Sequence, residues 1–397
     1  MATTEQEREI IKALMTLTDA SSTHLLPTVG TAPVSNYAST EQFQREREIL
    51  FRHFPLALAH SSALAAPGDF LTHDDTGVPI LLARGRDGKA RAFLNVCRHR
   101  GARLTDQPCG KTGSFTCPYH SWSYGLTGEL RGLPQPEGFE GIDRSALGLR
   151  ELQLEERYGF LWVVPSPTAP RVAIDAWLAP MAEQFETLEM ESHVVFKQWK
   201  VERQMNWRLA LEGFQESYHF CHAHRESACA GYLDNQSLHL NLKPHVRHAV
   251  PLPKFLEMKE QPEEAWDYRT TFMTQNYLFP ANFVQVMTDH IYLHTIIPLT
   301  PHSCTFQCIM LIPEAPQSDK AARYWQKNYE VVKRVFDEDF TIGEGIQKGL
   351  LSGANENFTF GRYECGLHFG TEAIDQALKG ELTPAQAVDL RPAAAQK

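Results

Sequence analysis

Two short ligand pairs constrain this chain more than any other feature: Cys97-Arg98-His99 and, after a gap of 17 residues, Cys117-Pro118-Tyr119-His120. Each pair places a cysteine before a histidine, and each sits where a short β segment runs into a loop. Thiolate and imidazole together suit zinc or an iron–sulfur cluster. A zinc finger groups its cysteines and then its histidines, whereas this chain mixes them. A [2Fe–2S] cluster in which two histidines replace two cysteines on one iron needs that mixture, and neutral imidazoles raise its potential. Arg100-Gly101 after the first pair, with Pro118 and Trp122 around the second, also favours the cluster over a structural zinc site.

The surroundings read as β structure. From about Leu71 to Val164 short segments alternate with glycine turns. Val78–Ala83 and Ala90–Val96 flank Arg84-Gly85-Arg86-Asp87-Gly88-Lys89, a hairpin signal. Ser114–Cys117, Ser121–Tyr124 and Gly159–Val164 continue the pattern, and the proline-rich run 165–170 reads as a boundary. Upstream, Ile10, Ile11, Leu14 and Met15 recur at helical spacing, and Ser39 with Gln42 resembles a capping box ahead of Glu41–Phe54. Downstream, the pattern predicts a helix near Asp175–Leu188, a strand over His193–Arg203 and a helix from Asn206 to His219. Strands are expected at Asn282–Met287, His290–Pro298 and Thr305–Ile312, then a long helix from Lys320 to Leu351. Tyr324, Val331, Val335, Ile342 and Ile346 form the apolar stripe of that helix. The last twenty residues read as a loose tail. The division expected is a helical lead-in over 1–47, a β domain over 48–165 and an α+β domain over 171–380.

Charge narrows the partners. With 38 basic against 48 acidic residues, a net charge of −10 and no basic run, a nucleic-acid binder or polybasic membrane anchor is disfavoured. No apolar run approaches the roughly 18–20 residues that would cross a bilayer. The first twenty residues are acidic and amphipathic, so a cytoplasmic protein is expected. Its eight cysteines are then read as reduced thiols or metal ligands, with no disulfide framework. Cys109 is structural or free, and Cys304 and Cys308 look like packing residues on one strand face.

A second constellation lies at Asn206–His224. An iron(II) that activates O2 needs two histidines and one carboxylate on one face, with positions left open. Spacing alone leaves the choice among His219, His222 and His224 open, and Glu212 or Glu216 could be the carboxylate. A di-iron bundle would need a second Glu-x-x-His, and none is found. A plain surface histidine cluster is the bland alternative.

Cys97–Gly101 and Cys117–Trp122 resemble the cluster motif of the Rieske non-haem iron oxygenases, the large (alpha) subunits of the aromatic-ring-hydroxylating dioxygenase family. Respiratory Rieske proteins add a bridged cysteine to each loop, where this chain has Ala102 and Tyr119. The stretch ending at His224 is similar to that family's mononuclear-iron signature: an acidic residue, any residue, Tyr-His, four residues, His. The resemblance implies His219 and His224 as iron ligands, His222 as a neighbour, and Glu216 as the acidic bridge between subunits. Most ring-hydroxylating dioxygenases place aspartate there; glutamate is more like the choline- and carnitine-type monooxygenases, although Gly213 replaces the asparagine usual in that branch. Residues 336–350 resemble the family's C-terminal segment, implying Asp339 as third ligand with Asp337 as the fallback.

The resemblance spans about residues 45 to 350 and implies an α+β fold: an all-β Rieske domain, then a helix-grip (START-like) domain whose antiparallel sheet wraps a long helix. It implies a [2Fe–2S] cluster on Cys97, His99, Cys117 and His120, and Fe2+ on His219, His224 and Asp339. O2 is the co-substrate, and NAD(P)H is used through a separate reductase or ferredoxin. Electrons would pass from His120 through Glu216 to His219 of the next subunit, in a homo-oligomer, a trimer or a multiple of one, with or without a small beta subunit. The reaction expected is hydroxylation of an aromatic or hydrophobic ring, as in aromatic hydrocarbon catabolism. The alternatives are oxidation of a quaternary amine, a Rieske electron carrier without oxygenase activity, and a zinc-stabilised binding protein. Met205, Phe214, Phe220, Phe283, Met287 and Phe336 are read as core or pocket lining near the iron.

Overall fold

Short alternating segments separated by glycine turns can bury one face only by pairing, and they do so in a computed structural model that describes residues 3–384. Of the expected tail, residues 385–397 lie outside the described residues. The chain divides into two units: Phe51–Ile174, and Met1–Leu50 together with Asp175–Lys397.

The first unit is all-β. A seven-stranded antiparallel sheet runs in the order Leu56–His60, Phe160–Val164, Glu151–Arg157, Ala90–Leu94, Ile80–Arg84, Asp69–His73, Cys109–Lys111. The expected hairpin is present, with Arg84 paired to Ala90 and Ile80 to Leu94. Phe115–Thr116, Ser123–Tyr124 and Leu130–Gly132 form a three-stranded sheet. Cys97 and Cys117 are buried in one apolar cluster with Phe93, Phe115, Trp122 and Tyr124.

The second unit is built on a seven-stranded antiparallel sheet. Leu238–Leu242, His245–Pro251, Phe272–Leu278, Asn282–Val286, Ile291–Thr300 and Ser303–Ile312 pair in order, joined by short turns except for a helical segment between Pro251 and Phe272, and Val194–Arg203 pairs with the last. The helix Asp319–Leu350 follows, its N-terminus capped by the Ser318 hydroxyl. At 1.5 Å per residue it is about 48 Å long. Its buried side is Phe336, Phe340, Gly343 and Gln347, not the expected stripe; Tyr324, Val331, Ile342 and Ile346 are exposed. Val331 and Val335 line one cavity and Ile342 and Ile346 another, so the stripe faces accessible space instead of side chains.

The first fifty residues are part of this unit. Ile10, Ile11 and Leu14 pack with Leu238, Ala249 and Phe272. Glu46, wholly buried on the helix Thr40–His53, accepts from Arg208 Nε at 2.8 Å and from Trp207 Nε1 at 2.6 Å. That carboxylate fixes the helix Trp207–Glu212 from a distance of some 160 positions in the chain.

The expected absence of disulfides is corrected: Cys221 and Cys229 are joined. The argument from compartment concerned thiols in general, whereas the chain turns back after Ala223 and brings these two Cα atoms to 4.7 Å. The other six cysteines are free, with Cys109 exposed and Cys304 and Cys308 buried in the sheet.

Candidate metal centres

The two loops of the first unit share one backbone device. Cys97 N–H donates to Ala102 O and Cys97 O accepts from Gly101 N–H; Cys117 N–H donates to Trp122 O and Cys117 O accepts from Ser121 N–H. Each loop reverses through a left-handed residue, Gly101 at φ +77° and Ser121 at φ +58°. The turns bring the two histidine rings to 4.6 Å between centroids, and Trp122 stacks on His99 at 4.7 Å. Tyr124 accepts the Arg98 N–H at 2.9 Å, which turns its hydroxyl proton toward Cys97 Sγ, 3.3 Å away. Burial pushes the Cys97 thiol up, a penalty that a metal removes by holding the thiolate. His99 Nδ1 and His120 Nδ1 are both buried without a hydrogen-bond partner. Two buried thiols and two orphaned imidazole nitrogens fit a [2Fe–2S] cluster with mixed ligation.

In the second unit the expected helix from Asn206 to His219 stops at Glu212. Beyond Gly213 the Glu216 carboxylate takes the backbone N–H groups of Tyr218 and His219, offering the chain an alternative to helical bonding. A short helix, Phe220–Ala223, then sets His219 before it and His224 after it. The break lets both rings turn to one point, which an unbroken helix would not allow. The C-terminal helix Cys365–Leu378 backs this turn closely, because Gly366 has no Cβ to strike Gln215 O.

His219, His224 and Asp339 present ligand atoms all within 4.8 Å of one another. His224 Nε2 stands 2.9 Å and His219 Nε2 3.6 Å from Asp339 Oδ1. The nearer pair lacks hydrogen-bond geometry, leaving His224 Nε2 buried and unpartnered. The opposite ring nitrogens are held from behind: His219 Nδ1 by Glu216, and His224 Nδ1 by Glu338 Oε2 at 2.8 Å. Burial lowers both rings, but Glu216 and Asp339 for His219, and Asp339 and Glu338 for His224, carry them above the usual value. Such an excess of carboxylate over imidazole suits a divalent cation. Two imidazoles and one carboxylate on one face are the donor set of non-haem iron(II).

Asp337, the fallback, is taken by Arg203 and Lys333. Two helical positions amount to about 200° of rotation, so Asp337 and Asp339 face opposite ways. Glu212 bonds Tyr37 at 2.6 Å, and burial pushes its carboxyl up to about 7. His222 is exposed. Glu338 escaped the sequence reading, although its place beside Asp339 on the helix was the available signal.

Two cavities meet at the triad. One of about 520 Å³ takes in Glu212, Glu216, Ile342 and Glu364; one of about 310 Å³ lies between sheet and long helix. Phe214, Phe220, Met287 and Phe336 line the smaller, and Met205 with Phe214 the larger. Phe283 is core, packed on Phe214 and Tyr277.

Residues 54–149 match the Rieske [2Fe-2S] domain family, and residues 190–380 match the ring hydroxylating alpha subunit (catalytic domain) family. A glycine betaine monooxygenase oxygenase subunit of Chromohalobacter salexigens is 36% identical over 194 residues, 49% of this chain and 43% of that protein. A carnitine monooxygenase oxygenase subunit of Acinetobacter baumannii is 27% identical over 345 residues, 81% of this chain and 85% of that protein. The chain thus spans under half the length of the glycine betaine relatives it matches. Naphthalene 1,2-dioxygenase from Rhodococcus sp., solved with indole bound, has the same fold, with a TM-score of 0.72 at 19% identity over 96% of this chain and 99% of that one.

Proposed function

The chain belongs to the Rieske oxygenase large-subunit family, with a Rieske [2Fe–2S] domain and a non-haem iron catalytic domain, and from that premise we propose that it is a terminal oxygenase. The observation that carries this reading is the convergence of His219, His224 and Asp339 at the meeting point of two cavities. When bound, the cluster supplies electrons singly and the mononuclear iron supplies a site for O2.

The chain's own residues do the rest. His99, His120, Cys97 and Cys117 hold the cluster, with Trp122 orienting His99. Glu216 and Glu338 fix the tautomers of His219 and His224 so that both Nε2 atoms face inward. Tyr119, beside His120, is 56% exposed, and Tyr218, beside Glu216, is 44% exposed. Each site therefore has an edge at the surface, which supports transfer from His120 of one subunit to Glu216 and His219 of the next. That transfer requires a homo-oligomer, for which we take the trimer, and a reductase or ferredoxin charged by NAD(P)H.

Phe214, Phe220, Tyr232, Met287 and Phe336 give the smaller cavity apolar walls, and its volume admits a small ring. Hydroxylation of an aromatic or hydrophobic ring is the reaction we assign. Oxidation of a quaternary amine is the second reading, favoured by the names of the glycine betaine and carnitine relatives. Against it, no lysine or arginine among the described residues lines the cavity to meet the carboxylate of a betaine.

Metal analysis and EPR of anaerobically purified protein, followed by O2 uptake with a reductase, test the proposal. About three irons per chain, a Rieske signal on reduction and substrate-dependent uptake are expected. About two irons would make the chain a carrier, and zinc alone would overturn both readings.

A further inference from the structure

The inner face of the catalytic sheet carries a row of polar side chains that an ordinary core would not tolerate. His239, His248, Gln275, Gln285 and Tyr292 stand directly opposite one another on five successive strands. All five are buried. Burying such groups without partners is costly, so apolar residues would serve packing alone better. The last three, Gln275, Gln285 and Tyr292, line the smaller cavity beside the iron triad.

The hydrogen bonds decide what this patch offers. The Asp289 carboxylate can only accept, so His290 Nδ1, 2.7 Å away, is its donor. With the Nδ1 proton held by Asp289, the tautomer so selected turns an Nε2 lone pair to the Tyr292 O–H at 3.0 Å. That leaves the Tyr292 oxygen with acceptor capacity alone. Asp289 is fixed in turn by the Tyr324 hydroxyl, and Arg269 Nη2 donates to His290 O at 3.3 Å. Gln285 Oε1 is occupied by His294 Nε2 at 2.9 Å. Gln275 Oε1, on a side chain 6% exposed, has no partner. Tyr292 thus offers the wall an acceptor beside the amide groups of Gln275 and Gln285, with Asp339 as the carboxylate and no lysine or arginine among the lining residues.

We propose that this patch is the specificity subsite of the cavity, and that it takes a neutral ring substrate bearing an O–H or N–H donor, anchored on the Tyr292 oxygen. His290 and Asp289 are positioning residues that set Tyr292 as an acceptor. The inference rests on the reading of this cavity as the substrate site and narrows it. A quaternary ammonium has no donor for the patch, and a plain hydrocarbon leaves it unpaired.

The test is calorimetric binding to the anaerobic, metal-loaded protein, with 4-ethylphenol, its methyl ether 4-ethylanisole, and choline as probes. The parent should bind 4-ethylphenol at least about tenfold more tightly than either other probe. Tyr292→Phe, which keeps the ring and its packing, should reduce the preference over the ether to about twofold. Asp289→Asn should reduce it partway, with the Rieske spectrum unchanged in both. Equal binding of phenol and ether by the parent would overturn the proposal. So would tightest binding of choline, no binding of any probe, or an unchanged preference in Tyr292→Phe. Failure of the oxygenase reading would show separately, as missing mononuclear iron or absent O2 uptake while the phenol preference stands.

Discussion

The two metal centres are built by opposite strategies. At the Rieske loops all four side chains fall between Cys97 and His120, and two turns of the same hydrogen-bond pattern bring them together. The mononuclear centre takes two histidines from a broken helix and its carboxylate from a helix that begins about a hundred residues later. A site made of local turns depends on its own loops. A site assembled from distant elements depends on whatever fixes those elements, here the buried Glu46 with Arg208 and Trp207, and Glu338 with His224.

The sharpest way to break this contrast is to remove one ligand from each centre. Cys117→Ser should abolish the reduced Rieske EPR signal and all turnover, with about one iron per chain retained on the distant centre. Asp339→Ala should do the reverse, with about two irons, an intact Rieske signal and an activity loss of about a thousandfold or more. Metal counts on the purified variants check both. If either substitution emptied both centres, the two would not be independent.

Scaffold dependence is the next largest effect. Glu46→Ala leaves Arg208 buried without its partner and should destabilise the catalytic unit by about 3–5 kcal/mol. Thermal melts followed by circular dichroism and by the visible Rieske band should separate, the second holding to a higher temperature. Coincident melts would contradict the contrast.

The smallest effects are the most specific. Glu338→Gln keeps the shape but weakens the grip on His224 Nδ1, and should cost about 10–100-fold in iron affinity. Asp337→Asn, two positions away on the same acidic run, should change that affinity by less than about twofold. Iron titrations of the apoprotein distinguish them.

The same contrast explains what could be read from the chain. The Rieske loops, the hairpin at Arg84–Ala90 and four strands of the catalytic sheet rest on local patterns and are legible, whereas Leu238–Leu242, His245–Pro251 and Phe272–Leu278 are not. The choice of Asp339 over Asp337 came through resemblance, and helix phase supplies its physical reason. Other features were not legible. The helix after Asn206 ends early because Glu216 captures backbone N–H groups, a competition that apolar periodicity does not register. For the stripe Tyr324–Ile346, periodicity reports an apolar face without saying whether it meets side chains or a cavity. Glu46 with Arg208, and the row from His239 to Tyr292, exist only once distant segments pair.

The central claim is that the two centres work as a relay through Glu216. Single-turnover oxidation tests it most directly, starting from protein with both metals bound and its Rieske centre reduced, without reductase present. Glu216→Gln keeps the size of the side chain but removes the charge that holds His219 Nδ1. The relay predicts that this variant, loaded to the parent's iron content, oxidises its reduced cluster at least about a hundredfold more slowly than the parent, with substrate binding unchanged. Oxidation at the parent rate would contradict it.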